Sequence, residues 1–201
     1  MDRPLKIGVL SLQGSVEEHL ASLRRLPQVT ACPVKTLSAL QEVDGLILPG
    51  GESTTIGKLL RLFSLQEPLK KRIMEGMPVW GTCCGMILLA QHLVGEEAHL
   101  GLMDITVRRN AYGRQIDSFH CKAFMQGVGE IPLVFIRAPW IEAAGPEVQP
   151  LLTLRGHMVA ARQNHMLVTS FHPELTEDLS VHRYFVAMVR EAVESVEKEK
   201  R

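Results

Sequence analysis

The segment Gly81–Gly85 carries the residue types and spacing that nucleophilic chemistry needs, because Cys83 stands at its centre with a glycine at each end. An apolar, strand-like stretch, Met77–Trp80, precedes the segment, and a helix-like apolar run, Met86–Ala90, follows it. A strand, a sharp turn that carries a nucleophile, and then a helix make up a nucleophile elbow. The turn leaves almost no room for flanking side chains, so it requires glycine there. We therefore predict that Cys83 stands at the carboxyl edge of a sheet, where a helix amino terminus favours its thiolate.

The neighbouring cysteine, Cys84, does not fit the same frame. An elbow centred on Cys84 would place Thr82 and Met86 where small residues are required. The backbone amide of Cys84 does follow the nucleophile, and elbows use that amide to stabilise a developing oxyanion. The sequence therefore predicts Cys83 as the nucleophile and the Cys84 amide as one oxyanion donor.

A cysteine nucleophile also needs a base and a group that orients the base. His172 is the best candidate because it follows an apolar strand and is itself followed by Pro173 and Glu174. Proline biases the residue before it toward an extended conformation, and side chains two residues apart in an extended chain point the same way. We predict that His172 is the base and that Glu174 holds its imidazole.

Four other histidines are weaker candidates for the base. His19 and His182 lie in predicted helices. The helical twist turns the glutamates beside His19 elsewhere, and His182 has no carboxylate at the offset that Glu174 has from His172. His157 and His165 lie near predicted strand ends, and the sequence excludes neither of them.

The second oxyanion donor is predicted in the loop Leu48–Thr55, where Gly50 and Gly51 follow a buried strand. Two glycines allow backbone amides to approach a ligand closely, and the Gly51 amide is the predicted donor. The alternative is an ordinary strand-to-helix turn, in which Ser53 or Thr54 caps the helix.

Two charged groups near these loops are predicted to contact a substrate. Glu52 follows the two glycines, and Arg109 lies in the basic segment 108–114. The alternatives are a solvated carboxylate that is favoured by a helix dipole and a solvated hairpin turn.

Composition limits the class of protein. The chain has 201 residues, of which 46% are hydrophobic, and this predicts one domain over residues 1–201 with a substantial core. Lys+Arg and Asp+Glu number 22 each, which favours neither nucleic acid nor an anionic membrane as a partner. No signal peptide or membrane span is evident, and the four cysteines lack the spacing of a zinc site, so we predict a cytoplasmic protein without a metal.

The order of predicted elements indicates an α/β fold. In the first half, short apolar strands alternate with helices, which is typical of a mostly parallel sheet covered on both faces. After Gly95 the chain is rich in strands, which predicts antiparallel strands in the C-terminal half. The predicted strands are Lys6–Leu12, Gln28–Val34, Leu46–Pro49, Pro78–Trp80, Ile105–Arg108, Ile116–Phe124, Leu133–Ala138, Val148–Leu154, His157–Arg162 and Met166–Phe171, and the predicted helices include Ser15–Leu26, Thr54–Phe63, a stretch to about Met74 and Glu177–Lys198.

The elbow together with His172–Glu174 resembles the class I, triad-type glutamine amidotransferases. Further segments are similar to the glutaminase subunit of pyridoxal 5'-phosphate synthase, and the similarity runs from residue 7 to residue 174. The Gly-Gly-Glu-Ser-Thr-Thr and Arg-Asn-x-x-Gly-Arg-Gln segments are more specific than the triad alone. The similar segments are Leu12–His19, Leu48–Thr55, Arg109–Gln115, Asp117–Phe119 and Phe135–Pro139.

The resemblance implies a flavodoxin-like three-layer sandwich and hydrolysis of L-glutamine to L-glutamate and ammonia through a glutamyl thioester. It implies a partner, a (β/α)8-barrel synthase subunit that uses the ammonia to build pyridoxal 5'-phosphate, and it implies no cofactor. Alanine is usual after the nucleophile in this family, so Cys84 is a departure. The residues implied to contact glutamine are Gly51, Glu52, Ser53, Arg109, Ile136 and Arg137.

Two other functions remain open at this point. The chain could serve another synthase, such as imidazole glycerol phosphate synthase, whose glutaminase has the same triad. It could also be a DJ-1-like cysteine stress protein of similar fold, although the His-Pro-Glu segment at residues 172–174 would then have no explanation.

Overall fold

The structure, a computed structural model, describes residues 3–109 and 118–199. Residues 110–117, which include parts of the predicted strand Ile116–Phe124 and of the similar segments Arg109–Gln115 and Asp117–Phe119, lie outside the described residues. The strands within the described residues are β1 (Leu5–Leu10), β2 (Val29–Val34), β3 (Gly45–Leu48), β4 (Val79–Thr82), β5 (Ala90–Leu93), β6 (Met103–Arg108), β7 (Ser118–Met125), β8 (Gly129–Ile136), β9 (Trp140–Ala144), β10 (Gln149–Leu154), β11 (His157–Gln163) and β12 (Met166–Thr169). The helices are α1 (Val16–Arg24), α2 (Leu37–Glu42), α3 (Ser53–Leu62), α4 (Gln66–Met74), α5 (Cys84–Leu89) and α6 (Ser180–Glu199), and Pro173–Leu175 forms a single 3₁₀ turn.

One side of the main sheet, from its edge strand β2 inward, consists of five parallel strands in the order β2-β1-β3-β4-β12. This is the doubly wound order in which sites form beyond the carboxyl ends of the strands. The sheet continues from β12 through the antiparallel strands β11, β9 and β6 to β5, while β10 pairs with β11. Strands β7 and β8 form a separate hairpin. The predicted α/β class, with a mostly parallel sheet and antiparallel strands in the C-terminal half, is confirmed.

Two apolar clusters, one on each face of the sheet, show why the fold has three layers. On one face Ile7 of β1 packs in the same cluster as Leu20 of α1 and Phe185 of α6. On the other face Leu46 of β3 shares a cluster with Ile56 of α3. Alternate side chains of a strand point to opposite faces, so each of the five parallel strands contributes to both clusters. Both faces of the parallel strands are thereby buried, as a sheet of this type requires.

The sequence analysis missed three short elements, α2, β5 and β9. Helix α2 has six residues, and its amino terminus depends on Thr36, whose side chain accepts a hydrogen bond from the Ala39 amide at 3.2 Å. Strand β9 is defined by its pairing with β6 and β11, which its own sequence does not reveal. The last helix begins at Ser180 rather than at Glu177.

Within residues 3–109 and 118–199, no helix is both long enough and apolar enough to cross a bilayer. The cytoplasmic location and the single domain over residues 1–201 stay predictions.

Candidate active site

Cys83 occupies a strained turn between β4 and α5. Its backbone has φ 49° and ψ −105°, a left-handed conformation that is unusual for a residue with a side chain. A Cβ atom at Gly81 would overlap the backbone of Gly85, and one at Gly85 would overlap the carbonyl oxygen of Leu48. The glycines are therefore needed for close backbone contact, as the sequence analysis proposed. Such strain, held in place by its surroundings, is typical of functional sites.

The Gly85→Ala variant is expected to be strongly destabilised, because the added methyl group forces the backbone of β3 away from α5. We expect the free energy of unfolding to fall by about 3 kcal/mol, the upper end of the usual cost of overpacking. Urea unfolding followed by circular dichroism measures this change. The control is Gly76→Ala, where a Cβ meets no atom within 4 Å and only the backbone strain of φ 99° remains. Equal losses in the two variants would contradict the steric explanation.

His172 lies three residues beyond the end of β12, the strand that pairs with β4. Its side chain is hydrogen-bonded to Cys83, and its Nδ1 atom lies 2.7 Å from Oε1 of Glu174. Burial by itself lowers the pKa of His172, but the hydrogen bonds to Cys83 and Glu174 outweigh burial and raise that pKa to about 10. The structure thus brings Cys83, His172 and Glu174 together.

The conformation of the His172–Glu174 segment differs from the prediction. Glu174 reaches the imidazole because Pro173–Leu175 forms a 3₁₀ turn, with His172 at φ −110° and ψ 84° before it. The sequence pattern had predicted an extended chain in which the two side chains share a face. The predicted contact is present, but the reason given for it was wrong.

Glu174 is buried, with 6% of its surface exposed. Its Oε1 atom accepts a second hydrogen bond from the Ser15 hydroxyl at 2.7 Å. Burial raises the pKa of this carboxyl, but the interaction with His19 and the hydrogen bonds from His172 and Ser15 outweigh burial and lower the pKa to about 2. Ser15 is the N-cap residue of α1, yet its side chain makes no cap hydrogen bond. The sequence analysis therefore missed Ser15 and His19 as neighbours of the carboxylate.

The loop after β3 lies directly against the Cys83–His172 pair. A Cβ atom at Gly50 would overlap the His172 ring, and one at Gly14 would overlap the carbonyl oxygen of Gly50. That carbonyl accepts a hydrogen bond from the Ser15 amide at 2.9 Å. The Gly50 amide donates to Oγ1 of Thr82 at 3.0 Å. Hydrogen bonds therefore hold the loop at both the carbonyl oxygen and the amide of Gly50.

The amide of Gly51, the predicted oxyanion donor, is hydrogen-bonded to the sulfur of Cys84. The Cys84 thiol in turn donates to the carbonyl oxygen of Pro49 at 3.3 Å. Burial, the largest cause, raises the pKa of Cys84 far above its usual range, so this thiol stays protonated. Cys84 therefore acts here as a hydrogen-bonded contact of the loop, and a reactive second thiolate is absent.

Glu52 caps the amino terminus of α3, in place of the Ser53 or Thr54 that the sequence suggested. Its carboxylate accepts hydrogen bonds from the amides of Thr54 at 3.1 Å and Thr55 at 2.6 Å. Burial raises the pKa of Glu52, but the hydrogen bonds with Thr55 and Thr54 together outweigh burial and lower that pKa to about 2. The hydroxyl of Ser53 is buried and has no hydrogen-bond partner among the described residues.

Arg109 connects Glu52 to a second carboxylate. Its guanidinium lies 3.1 Å from Oε1 of Glu52 and 2.8 Å from Oε2 of Glu96. The two residues predicted to contact a substrate, Glu52 and Arg109, thus form an ion pair with each other at the rim of the site.

All of the predicted site residues except the buried Glu174 line one cleft of about 530 Å³. Ile136 is 42% exposed, and its carbonyl oxygen lies 3.9 Å from Sγ of Cys83. Arg137 is exposed, and its φ of 44° marks a second strained position. The cleft is lined by Gln13, Gly14, Ser15, Gly50, Gly51, Glu52, Ser53, Cys83, Cys84, Ile87, Arg109, Ile136, Arg137, His172 and Leu175.

The two histidines that the sequence left open lie elsewhere. The ring of His157 stacks on Trp140 with 3.6 Å between centroids. Nε2 of His165 lies 2.6 Å from the carbonyl oxygen of Ile73. Among the described histidines only His172 lines the cleft that holds Cys83.

Proteins of similar sequence share nearly the whole length of this chain. It is 54% identical over 187 residues to "Pyridoxal 5'-phosphate synthase subunit PdxT" of Ruminiclostridium cellulolyticum, which covers 92% of this chain and 99% of the relative. It is 50% identical over 185 residues to the protein of the same name from Clostridium botulinum, which covers 90% of this chain and 96% of the relative.

A solved structure described as that of a glutamine amidotransferase superimposes with a TM-score of 0.87. Its sequence is 44% identical, and the alignment covers 91% of this chain and 98% of that one. The sequence profile of the SNO glutamine amidotransferase family matches residues 9–191. Since that match spans most of the chain and includes every residue of the cleft, this protein belongs to the SNO glutamine amidotransferase family.

Proposed function

We propose that this protein hydrolyses L-glutamine to L-glutamate and ammonia and supplies the ammonia to the synthase subunit that makes pyridoxal 5'-phosphate. The observation that carries the proposal is the linked set Cys83, His172 and Glu174 at the carboxyl edge of the parallel sheet. The identity of the PdxT relatives supports the choice of synthase over the two alternatives that the sequence left open.

In the first half of the reaction, His172 takes the proton of Cys83 and the thiolate attacks the side-chain carbonyl carbon of glutamine. Because the pKa of His172 is raised, its imidazole holds the transferred proton near neutral pH. The tetrahedral intermediate collapses when His172 returns the proton to the departing nitrogen, because an amide ion is too basic to leave alone. Ammonia departs and a glutamyl thioester remains on Cys83.

In the second half, His172 takes a proton from water, and the resulting hydroxide attacks the thioester carbonyl. The carbon–sulfur bond then breaks, glutamate leaves, and the proton on His172 returns to the sulfur. Glu174 keeps the imidazole in one orientation throughout and balances its charge.

The oxyanion is stabilised by the amide of Cys84, the first residue of α5, and by the amide of Gly51. The Gly51 amide is bonded to the Cys84 sulfur, so it must turn toward the cleft before it can donate. We propose that contact with the synthase subunit turns the Gly50–Gly51 peptide. This dependence on the partner prevents hydrolysis of glutamine when no synthase subunit is bound.

Glutamine is a zwitterion, and the ion pair at the rim offers one group for each of its charges. The Glu52 carboxylate is suited to the α-ammonium group, and the guanidinium of Arg109 or Arg137 is suited to the α-carboxylate. The buried hydroxyl of Ser53 and the backbone at Ile136 complete the proposed contacts. A cleft of about 530 Å³ is ample for one amino acid.

The test is to measure glutamate release with and without a (β/α)8-barrel synthase subunit. With the partner we expect a rate on the order of 100-fold higher, which is the usual effect of one oxyanion donor. Addition of ribose 5-phosphate and glyceraldehyde 3-phosphate should then yield pyridoxal 5'-phosphate, seen by its absorbance. Equal rates with and without the partner would contradict the proposed activation, and stimulation by an imidazole glycerol phosphate synthase barrel instead would contradict the choice of synthase.

A further inference from the structure

Two buried histidines lie directly behind Glu174. His19 of α1 and His182 of α6 are both fully buried, and Nδ1 of His19 lies 3.1 Å from Nε2 of His182. Trp80 closes the cluster, since its ring meets those of His19 and His182 edge-on with 5.5 and 4.9 Å between centroids. A polar pair held in such apolar surroundings must satisfy its hydrogen bonds internally.

Only one of the two carboxylate oxygens of Glu174 accepts hydrogen bonds from His172 and Ser15. Its Oε1 atom accepts from His172 and Ser15, both at 2.7 Å. Its Oε2 atom is buried and has no hydrogen-bond partner among the described residues, and Nε2 of His19 lies 3.4 Å from it. The same nitrogen lies 3.2 Å from Oγ1 of Thr82, which accepts the Gly50 amide.

These contacts determine which nitrogen of His19 carries the proton. With a proton on Nε2, His19 donates to the carboxylate, and its Nδ1 accepts from Nε2–H of His182. The lone pair on Nδ1 of His182 is then the only unpaired site of the two rings, and that atom has no partner among the described residues. With the proton on Nδ1 instead, a ring lone pair would face a buried carboxylate oxygen, and a buried N–H of His182 would have no acceptor. Buried unpaired donors and repelled charges are costly, so the first tautomer is favoured.

Both rings are neutral at physiological pH. Burial, the largest cause, lowers the pKa of His19, and it lowers that of His182 to about 3. His19 therefore acts on Glu174 as a fixed N–H donor. Glu174 faces Ser15 and His19 from the α1 side and His172 from its own turn, and the charges of Glu18 and Arg25 act on the two buried rings from farther away.

We infer that His19 is a positioning residue for the reaction proposed above: its Nε2–H holds the second carboxylate oxygen of Glu174 and thereby fixes the imidazole of His172 toward Cys83. The inference rests on the proposed function. His19 also joins Glu174 to Thr82, which holds the Gly50 amide. The buried ring of His19 thus connects the carboxylate of Glu174 with the loop that carries the second oxyanion donor, the Gly51 amide.

The test compares His19→Gln with His19→Asn. The glutamine amide extends to the place of Nε2 and can still donate to Glu174, whereas the asparagine amide reaches only the place of Nδ1. Assayed with the synthase subunit, His19→Asn should lose roughly 10- to 100-fold in kcat with KM for glutamine unchanged, the range found when supporting partners of a site are removed. His19→Gln should retain most of the wild-type kcat. Equal kcat values for the two variants would overturn the inference.

The pH profile distinguishes positioning from general loss of structure. Without the donor, the carboxylate of Glu174 is less stabilised, so its pKa rises and the acid limb of kcat/KM moves to higher pH. The pKa of His172 falls because its counter-charge weakens, so the basic limb moves to lower pH. The bell-shaped plot of kcat/KM against pH should therefore be narrower on both sides for His19→Asn, and it should keep the wild-type width for His19→Gln. A His19→Asn profile whose maximal kcat/KM is lower but whose width is unchanged would overturn the inference.

A measurement on the wild-type protein needs neither variant nor activity. Nitrogen-15 NMR of the imidazole rings should show His19 neutral and protonated on Nε2, with Nδ1 unprotonated. The Nδ1-protonated tautomer would overturn the inference even if the protein hydrolyses glutamine. Conversely, a wild-type protein without glutaminase activity would refute the proposed function, whatever the tautomer.

Discussion

The Cys83→Ala variant is expected to lose glutamine hydrolysis, by about 10⁴-fold or more in kcat, because no other group in the cleft can form the thioester. The only neighbouring thiol, Cys84, is buried and donates to the carbonyl oxygen of Pro49. Alanine removes the sulfur and leaves the backbone of the elbow in place, so glutamine affinity should not change. Glutamate release and isothermal titration with glutamine measure the two quantities.

The matched control is Cys84→Ala. It removes a sulfur one residue away and keeps the backbone amide that is proposed to stabilise the oxyanion. We expect this variant to keep most of the partner-stimulated activity. Because it also frees the Gly51 amide from the sulfur, its rate without the partner should rise above that of the wild type. If the two variants exchanged phenotypes, the register of the elbow would be wrong.

The His172→Gln variant is expected to lose roughly 10³- to 10⁴-fold in kcat, because one residue serves as base for the thiol and as acid for the departing nitrogen. Glutamine fills a similar volume but cannot accept and return a proton, so the loss reports proton transfer. On the basic side, the wild-type rate should fall only as the pH approaches 10, since the pKa of His172 is raised to about 10. The residual rate of the variant should instead climb steadily with pH, because hydroxide must then generate the thiolate. Steady-state assays across the pH range measure both.

The control for this variant is His92→Gln, which changes an exposed histidine on β5. It should behave as the wild type. A His172→Gln variant with a wild-type profile, or a His92→Gln variant with an equal loss, would contradict the assignment of the base.

The elbow was predictable because its requirement is local. A nucleophile in a sharp turn between a strand and a helix needs small neighbours. The spacing of Gly81 and Gly85 around Cys83 shows this requirement directly in the sequence. The parallel strands were predictable for a similar reason, since short apolar runs that alternate with helices leave few other arrangements. Their carboxyl ends then bring Cys83, Gly50 and His172 to one edge.

The surroundings of the triad were less predictable because they depend on contacts between distant segments. His19 was set aside as a base, correctly in that it does not line the cleft, but its contact with Glu174 spans 155 residues and has no local signal. The only trace in the sequence was the similarity of Leu12–His19 to the glutaminase family. The hydrogen bond between Gly51 and the Cys84 sulfur was likewise invisible, because it depends on the orientation of one peptide. The residues 110–117, which carry much of the family resemblance, lie outside the described residues.

The most direct test of the account is to treat the protein, with its synthase subunit, with a glutamine analogue that carries an electrophilic ketone in place of the amide. Mass spectrometry of the digested protein then identifies the modified residue. We predict a single adduct on the sulfur of Cys83, formed in step with the loss of activity and prevented by excess glutamine. An adduct on Cys84, or complete inactivation with Cys83 unmodified, would contradict the central claim.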